Sequence, residues 1–183
     1  MTKALAPGDS QECRIKRAPE HSCLVTTDQQ KGRYMNQKKS DSSVSKVPMN
    51  LEVQVIAVSD VERSKQFYLQ LGWRLDEDVA PAKNIRIVQF TPPGSGCSVT
   101  FGNGVTASAP GTAVGTLVVN DIRAAHQEVT RRGIGASEMW PPGGTVRPGP
   151  DPMRTSYGSF FAFTDPDGNA WLVQEVTTRR PGR

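Results

Sequence analysis

Histidine is the scarcest chemical resource in this chain: His21 and His126 are the only two in 183 residues. A catalytic centre built on several imidazoles is therefore excluded. Cysteine is nearly as rare. Cys13, Cys23 and Cys97 make an odd number without C-x-x-C spacing, which argues against a disulfide framework and points to reduced thiols in a cytoplasmic protein. Cys13 and Cys23 can oxidise to each other, but a free pair is the simpler reading. No stretch of apolar residues approaches the length that crosses a bilayer, and N-terminal runs such as Cys23-Leu24-Val25 are too short for a signal-peptide core.

An excess of positive charge is also missing from most of the chain. The net charge of +4 arises wholly before Met49, where nine Lys or Arg meet five Asp or Glu; from Met49 onward there are thirteen of each sign. A neutral domain has no electrostatic footprint for nucleic acid. The basic residues of Met1–Pro48 are scattered among Ser, Gln and Asp, which predicts a solvated disordered tail, with polyanion binding as the alternative. Met49 opens directly into the first strand, so an over-extended gene start is a further reading of the tail. The length suits one domain, expected over 49–176, with a short flexible tail over 177–183.

What is present is strongly patterned. Leu51–Val58 is a β-branched run of strand length. Ser59 and Asp60 then offer capping oxygens, Glu62 follows Ser59 at capping-box spacing, and Val61, Ser64, Phe67, Tyr68 and Leu71 recur with helical period up to Gly72. Strands are expected at 73–78, 84–90 and 97–101, with Pro92-Pro93-Gly94-Ser95-Gly96 as the turn between the last two. The order is βαβββ, and it repeats. Ala57-Val58-Ser59-Asp60-Val61 returns as Val118-Val119-Asn120-Asp121-Ile122, while Gln66 and Gly72 align with Gln127 and Gly133 at the same offset of 61 residues. The second module contains a helix from Asp121 to about Arg132, a short strand at 134–139, a long irregular segment, and strands at 157–163 and 170–176. Between the last two lies the turn Asp165-Pro166-Asp167-Gly168-Asn169, whose carboxylates are expected to shape the turn and do no chemistry. The modules are expected at about 49–104 and 112–176.

Val58-Ser59-Asp60-Val61-Glu62-Arg63-Ser64 with Phe67-Tyr68 and Leu71-Gly72, together with Phe163-Thr164-Asp165-Pro166-Asp167-Gly168-Asn169, resembles the vicinal-oxygen-chelate superfamily of glyoxalases, bleomycin-resistance proteins and extradiol dioxygenases. The resemblance implies an α+β fold in which two tandem βαβββ modules form a curled mixed sheet around a cavity, with helices on the convex side and often a homodimer. In catalytic members a divalent metal is held in that cavity by His, Glu or Gln. Carried over to this chain, the ligand positions fall at Val53, Val114, Leu172 and either Val99 or Thr100. None is a histidine or a carboxylate, and Glu175 lies on the opposite strand face from Leu172. Gln174, on the Leu172 face, cannot alone fix a catalytic cation. His126 falls mid-helix, where a surface or rim place is expected. No metal and no other cofactor are therefore expected.

A cavity without a cation binds by shape and a few polar contacts. Strand parity nominates Gln89, Thr100 and Gln174 as hydrogen-bonding groups. Phe101, Trp140 and Tyr157 are candidate stacking surfaces, with core packing as the alternative for each. The Pro- and Gly-rich segment from Pro141 to Arg154 is either a solvated loop or a lid, with Arg147 and Arg154 able to meet an anion. Three function classes follow: a protein that binds or sequesters a small molecule, which the absent ligands favour; a glyoxalase-like lyase, isomerase or dioxygenase with a non-standard site; and a regulatory protein whose tail carries the interaction.

Overall fold

The strands pair into two separate sheets, each with a helix of its module (computed structural model). The structure describes residues 47–142 and 149–181, and from Val47 these form one compact unit. Cys13, His21 and Cys23 of the tail, and Arg147 of the lid segment, lie outside the described residues. In chain order the elements are β1 (Val53–Val55), α1 (Val61–Leu71), β2 (Arg74–Ala82), β3 (Ile85–Thr91), β4 (Ser98–Phe101), β5 (Val114–Val119), α2 (Ile122–Arg131), β6 (Phe160–Thr164) and β7 (Ala170–Glu175). The first sheet has the order β1-β4-β3-β2 and the second β5-β7-β6; β1 runs parallel to β4, β5 parallel to β7, and the remaining pairs are antiparallel. This is the expected α+β pair of modules. Val53 and Val114 open the equivalent strands of the two halves, and the edge strands β1 and β5 are linked by the Gln54 amide, which donates to the Val114 carbonyl at 3.3 Å.

Helix α1 starts where its sequence says, with different capping chemistry. Asp60 is the N-cap, extended at φ −137°, and its carboxylate accepts from the Arg63 amide at 3.0 Å. Glu62 does not close a capping box with Ser59; it pairs with Arg86 of β3 at 2.6 Å. Asp121 caps α2 in the same way, accepting from the amides of Arg123 and Ala124. Gly72 stops α1 at φ 84°, a left-handed geometry that costs a residue with a Cβ free energy.

Three expected strands are redrawn by their partners. β1 is shorter than the apolar run 51–58 because its neighbour β4 spans four residues and offers no longer ladder. β2 runs past 78 and includes Pro81, which is tolerated because β2 is an edge strand and needs no outward N–H. The strand expected at 134–139 reduces to isolated bridges, Ala136 with Phe163 and Trp140 with Phe160. Four steps on one side face three on the other, so one extra residue breaks the ladder.

The core lies between the helices and one face of each sheet. Tyr68, Phe90, Phe101 and Phe161 are wholly buried, and each contributes about 2 kcal/mol of transfer free energy. Tyr68 is its hub, with ring contacts to Phe67, Trp73, Phe90, Phe101 and Trp171. Trp171 lies against β5 at Gly115, where a Cβ would come within 2.3 Å of its ring.

Candidate functional site

The Asp165–Asn169 turn is a joint between the halves, consistent with the structural role expected of its carboxylates. Asp165, 4% exposed, accepts from the amides of Asp167 and Asn169 on one oxygen, and from the Tyr68 hydroxyl (3.1 Å) and the Asn169 amide group (2.8 Å) on the other. Asn169 also donates to the Ala57 carbonyl and accepts from the Ala113 amide, so it holds the ends of both repeats. Asp167 accepts from Ser59, Arg63 and Ser64 at the start of α1. Burial, reinforced by the Asp165 carboxylate, pushes the Tyr68 phenol far above its ordinary range. Tyr68 stays a donor, which removes it from acid–base chemistry near neutral pH.

The faces of the two sheets turned away from the core differ in chemistry. On the first sheet, alternation sends Val88, Phe90, Val99 and Phe101 into the core and Gln89, Thr91, Ser98 and Thr100 to the other side. The Thr100 hydroxyl donates to the Gln89 carbonyl oxygen at 3.1 Å, and Thr91 shares a hydrogen bond with Ser98 at 2.7 Å while donating to Asp76. A register shift between Leu75 and Glu77 brings Asp76 to this partner. Hydrogen bonds from Thr91 first, then from Arg74, hold the Asp76 carboxyl below its usual range. The nominated pair Gln89 and Thr100 is thus brought together, in a polar floor whose members Asp76, Thr91 and Ser98 sequence reasoning missed. Phe101 is not in it. One residue beyond Thr100, it points to the opposite face and is entirely core.

The second sheet presents apolar side chains instead. Val114 and Val118 of β5 are 70% and 49% exposed, and register aligns them with Ala170 and Gln174 of β7. Phe160 faces Gln174 across β6 and stacks on Trp140 with ring centroids 6.2 Å apart. A hollow of about 200 Å³ on this face is lined by Thr116, Val118, Tyr157, Gln174, Val176 and Arg179. Tyr157 and Gln174 share the hollow, and Trp140 connects to them through Phe160, which pairs with Gln174. Phe160 was the missed member, and its alternation with core Phe161 was the available signal.

Tyr157 reaches the hollow from a tight strap over 149–159, not from the strand expected to start there. Both Arg154 (φ 52°) and Tyr157 (φ 68°) adopt left-handed backbone, a strain the surroundings must hold. Asp151 accepts from the amides of Met153 and Thr155, Ser156 bonds Thr178 both ways, and the Arg180 guanidinium sits 4.8 Å from the centre of the Tyr157 ring. The C-terminal segment, expected to be flexible from 177, is tied to the strap as far as Arg180. Arg154 meets a protein anion: its guanidinium donates to Glu175 at 2.8 Å and to the Asn120 carbonyl at 2.8 Å. A ligand anion at Arg154 has to displace that carboxylate. Glu175 is 1% exposed; its Oε1 accepts from Arg154 and from the Ile122 amide, while Oε2 has no partner among the described residues.

The donor set does not suit a cation. Val53, Val114, Leu172, Val99 and Thr100 offer aliphatic groups and one hydroxyl, and among the described residues no three of His, Cys, Asp or Glu gather closely enough to hold a metal. His126 serves structure: it lies edge-on to Phe161, and Nε2 is 3.0 Å from the Ser137 carbonyl, which requires an N–H there.

A family model for the Glyoxalase/Bleomycin resistance protein/Dioxygenase superfamily matches residues 51–173. The chain belongs to this superfamily. Among solved structures similar to it is TnmS3, an antibiotic binding protein from Streptomyces sp. CB03234, at 26% identity and a TM-score of 0.55, covering 70% of this chain and 97% of that one. A glyoxalase/bleomycin resistance protein from the same organism matches at 27% identity and TM-score 0.53, over 68% of this chain and 99% of its own. A superfamily member from Sphaerobacter thermophilus DSM 20745 matches at 28% identity and TM-score 0.53, over 70% and 98%. Comparison with curated protein sequences finds no match. Among the described residues no helix of this superfamily domain is long and apolar enough to cross a membrane.

Proposed function

We propose that this domain binds or sequesters a small aromatic molecule without a metal ion, the two open faces serving as the polar and the apolar wall of one cavity. The observation that carries the reading is the exchange of chemistry at the family's cation positions. Val53, Thr100, Val114 and Leu172 stand there, while the stacked Trp140 and Phe160, with Tyr157 and Gln174, supply rings and an amide on the Leu172 face. Rings recognise a flat apolar ligand and a few hydrogen bonds orient it. Similarity to an antibiotic binding protein supports a small-molecule ligand. Arg154 has a supporting part, anchoring the strap that carries Tyr157 over the hollow. The reading includes a homodimer in the cytoplasm, for which light scattering at micromolar concentration should give twice the chain mass.

A thermal-shift screen of antibiotics and aromatic metabolites tests the site, because a ligand selective for the native state raises the melting temperature. The hit should lose at least tenfold in affinity in Trp140→Ala and severalfold in Gln174→Ala. Turnover of a methylglyoxal–glutathione adduct or of catechol would instead establish the enzyme alternative.

A further inference from the structure

A second cavity, of about 460 Å³, lies around the edge of β5, between α2 and the Pro92–Gly96 turn, and shares Thr116, Val118 and Arg179 with the hollow on the open face. Its interior is made of core residues: Trp73, Phe161, Phe163 and Val173 are each at most 6% exposed. The cavity has a cause in the repeat. At the offset of 61 residues, Ser64 and Tyr68 of α1 correspond to Ala125 and Val129 of α2. Tyr68 fills the space between its helix and sheet, whereas Ala125 and Val129 line an opening. An apolar floor of this kind accepts an apolar guest.

The rim adds a sign of charge. Glu128 lines the cavity but its carboxylate is held by both Arg131 and Arg132, at 2.9 and 2.6 Å. Arg179, also at the rim, takes part in no hydrogen bond, ion pair or ring contact with the described residues. Three guanidiniums against one carboxylate leave the mouth positive, with Arg179 as the uncommitted donor. We infer that the helix side of this cavity, which adjoins the open-face hollow at Arg179 but does not include the rings of Trp140, Phe160 or Tyr157, is a binding site for a compact aromatic or branched apolar molecule ending in a single carboxylate. The apolar body enters between α2 and β5, and the anion meets Arg179 in a charge-assisted pair.

Isothermal titration of the full chain with 1-naphthylacetate and with its neutral analogue 2-(1-naphthyl)ethanol tests the site. The acid should bind with one equivalent and about tenfold more tightly than the alcohol. Arg179→Ala should remove that difference without altering the alcohol's affinity, and Arg179→Lys should restore most of it. Val129→Phe, which fills the cavity, should abolish both. The Arg179 series decides the matter on its own if Val129→Phe does not fold, because the Arg179 side chain has no hydrogen-bond or ion-pair partner among the described residues. Equal binding of acid and alcohol, no binding of either, or an Arg179→Ala variant like the parent overturns the inference. Trp140→Ala should leave both affinities unchanged; losing them there places the compounds among the open-face rings, which sinks this site and leaves the function proposed above standing.

Discussion

Helices α1 and α2 occupy equivalent places in the repeat, with the same aspartate cap and the same glycine after the last turn, yet they close their sheets differently. The first seals its core with Tyr68, whose ring touches five aromatic neighbours and whose hydroxyl reaches the turn of the other module. The second has Val129 there and leaves a cavity. The open faces diverge in the same sense: the first is a buried ladder of hydroxyls and amides around Asp76, the second an exposed set of valines and rings. Duplicated halves share what makes the backbone turn and cap. They differ in the side chains that fill or line space, and the proposed binding rests on that difference.

The sharpest way to break this comparison is to empty both equivalent positions. Tyr68→Ala should cost about 4 kcal/mol, from the lost ring and the void it leaves, whereas Val129→Ala should cost about 1 kcal/mol for a smaller, half-exposed group. Urea unfolding gives both, and equal costs would mean the two cores are alike after all. Asp165→Ala should follow at about 3 kcal/mol, since it strands the Tyr68 hydroxyl and the Asn169 amide in the interior.

Arg154→Ala should produce a smaller loss of melting temperature and faster hydrogen exchange at the amides of Arg154–Gly158, because buried Glu175 loses its cation. Adding Glu175→Gln to that background should recover part of the loss, which a strap held only by its own backbone bonds would not show.

The least effect concerns acid. Hydrogen bonds from Arg86, then Lys65, hold the Asp78 carboxyl well below the usual carboxylate range. A depressed folded value means the pairs stabilise fully above the unfolded value of about 4 and fade as pH falls towards the folded value. Asp78→Asn should therefore flatten the slope of stability against pH below about 4, and leave the slope near neutrality unchanged.

Much of the fold was legible because it rests on local rules. Asp60 and Asp121 cap helices, Gly72 stops one, and the repeat offset places Val53 and Val114 at equivalent strand starts. Strand parity also sorted Gln89 and Thr100 from the core. It failed where pairing geometry intervenes. No local pattern marks the register shift that delivers Asp76 to Thr91, the extra residue that turns a strand at 134–139 into two bridges, or the left-handed Tyr157 that starts no strand. Arg154 read as a free cation because its acidic partner lies 21 residues further along the chain. Long-range pairs of this kind are settled by packing, which period and composition do not encode.

The proposed function requires that side chains alone hold the ligand. Titration calorimetry of the best compound from the thermal-shift screen, on protein treated with chelator and on protein supplemented in turn with Zn, Ni, Mn and Fe(II), tests it most directly. One affinity throughout and recovery of the compound unchanged are the expected results. Binding or conversion that appears only with one of the metals would contradict it.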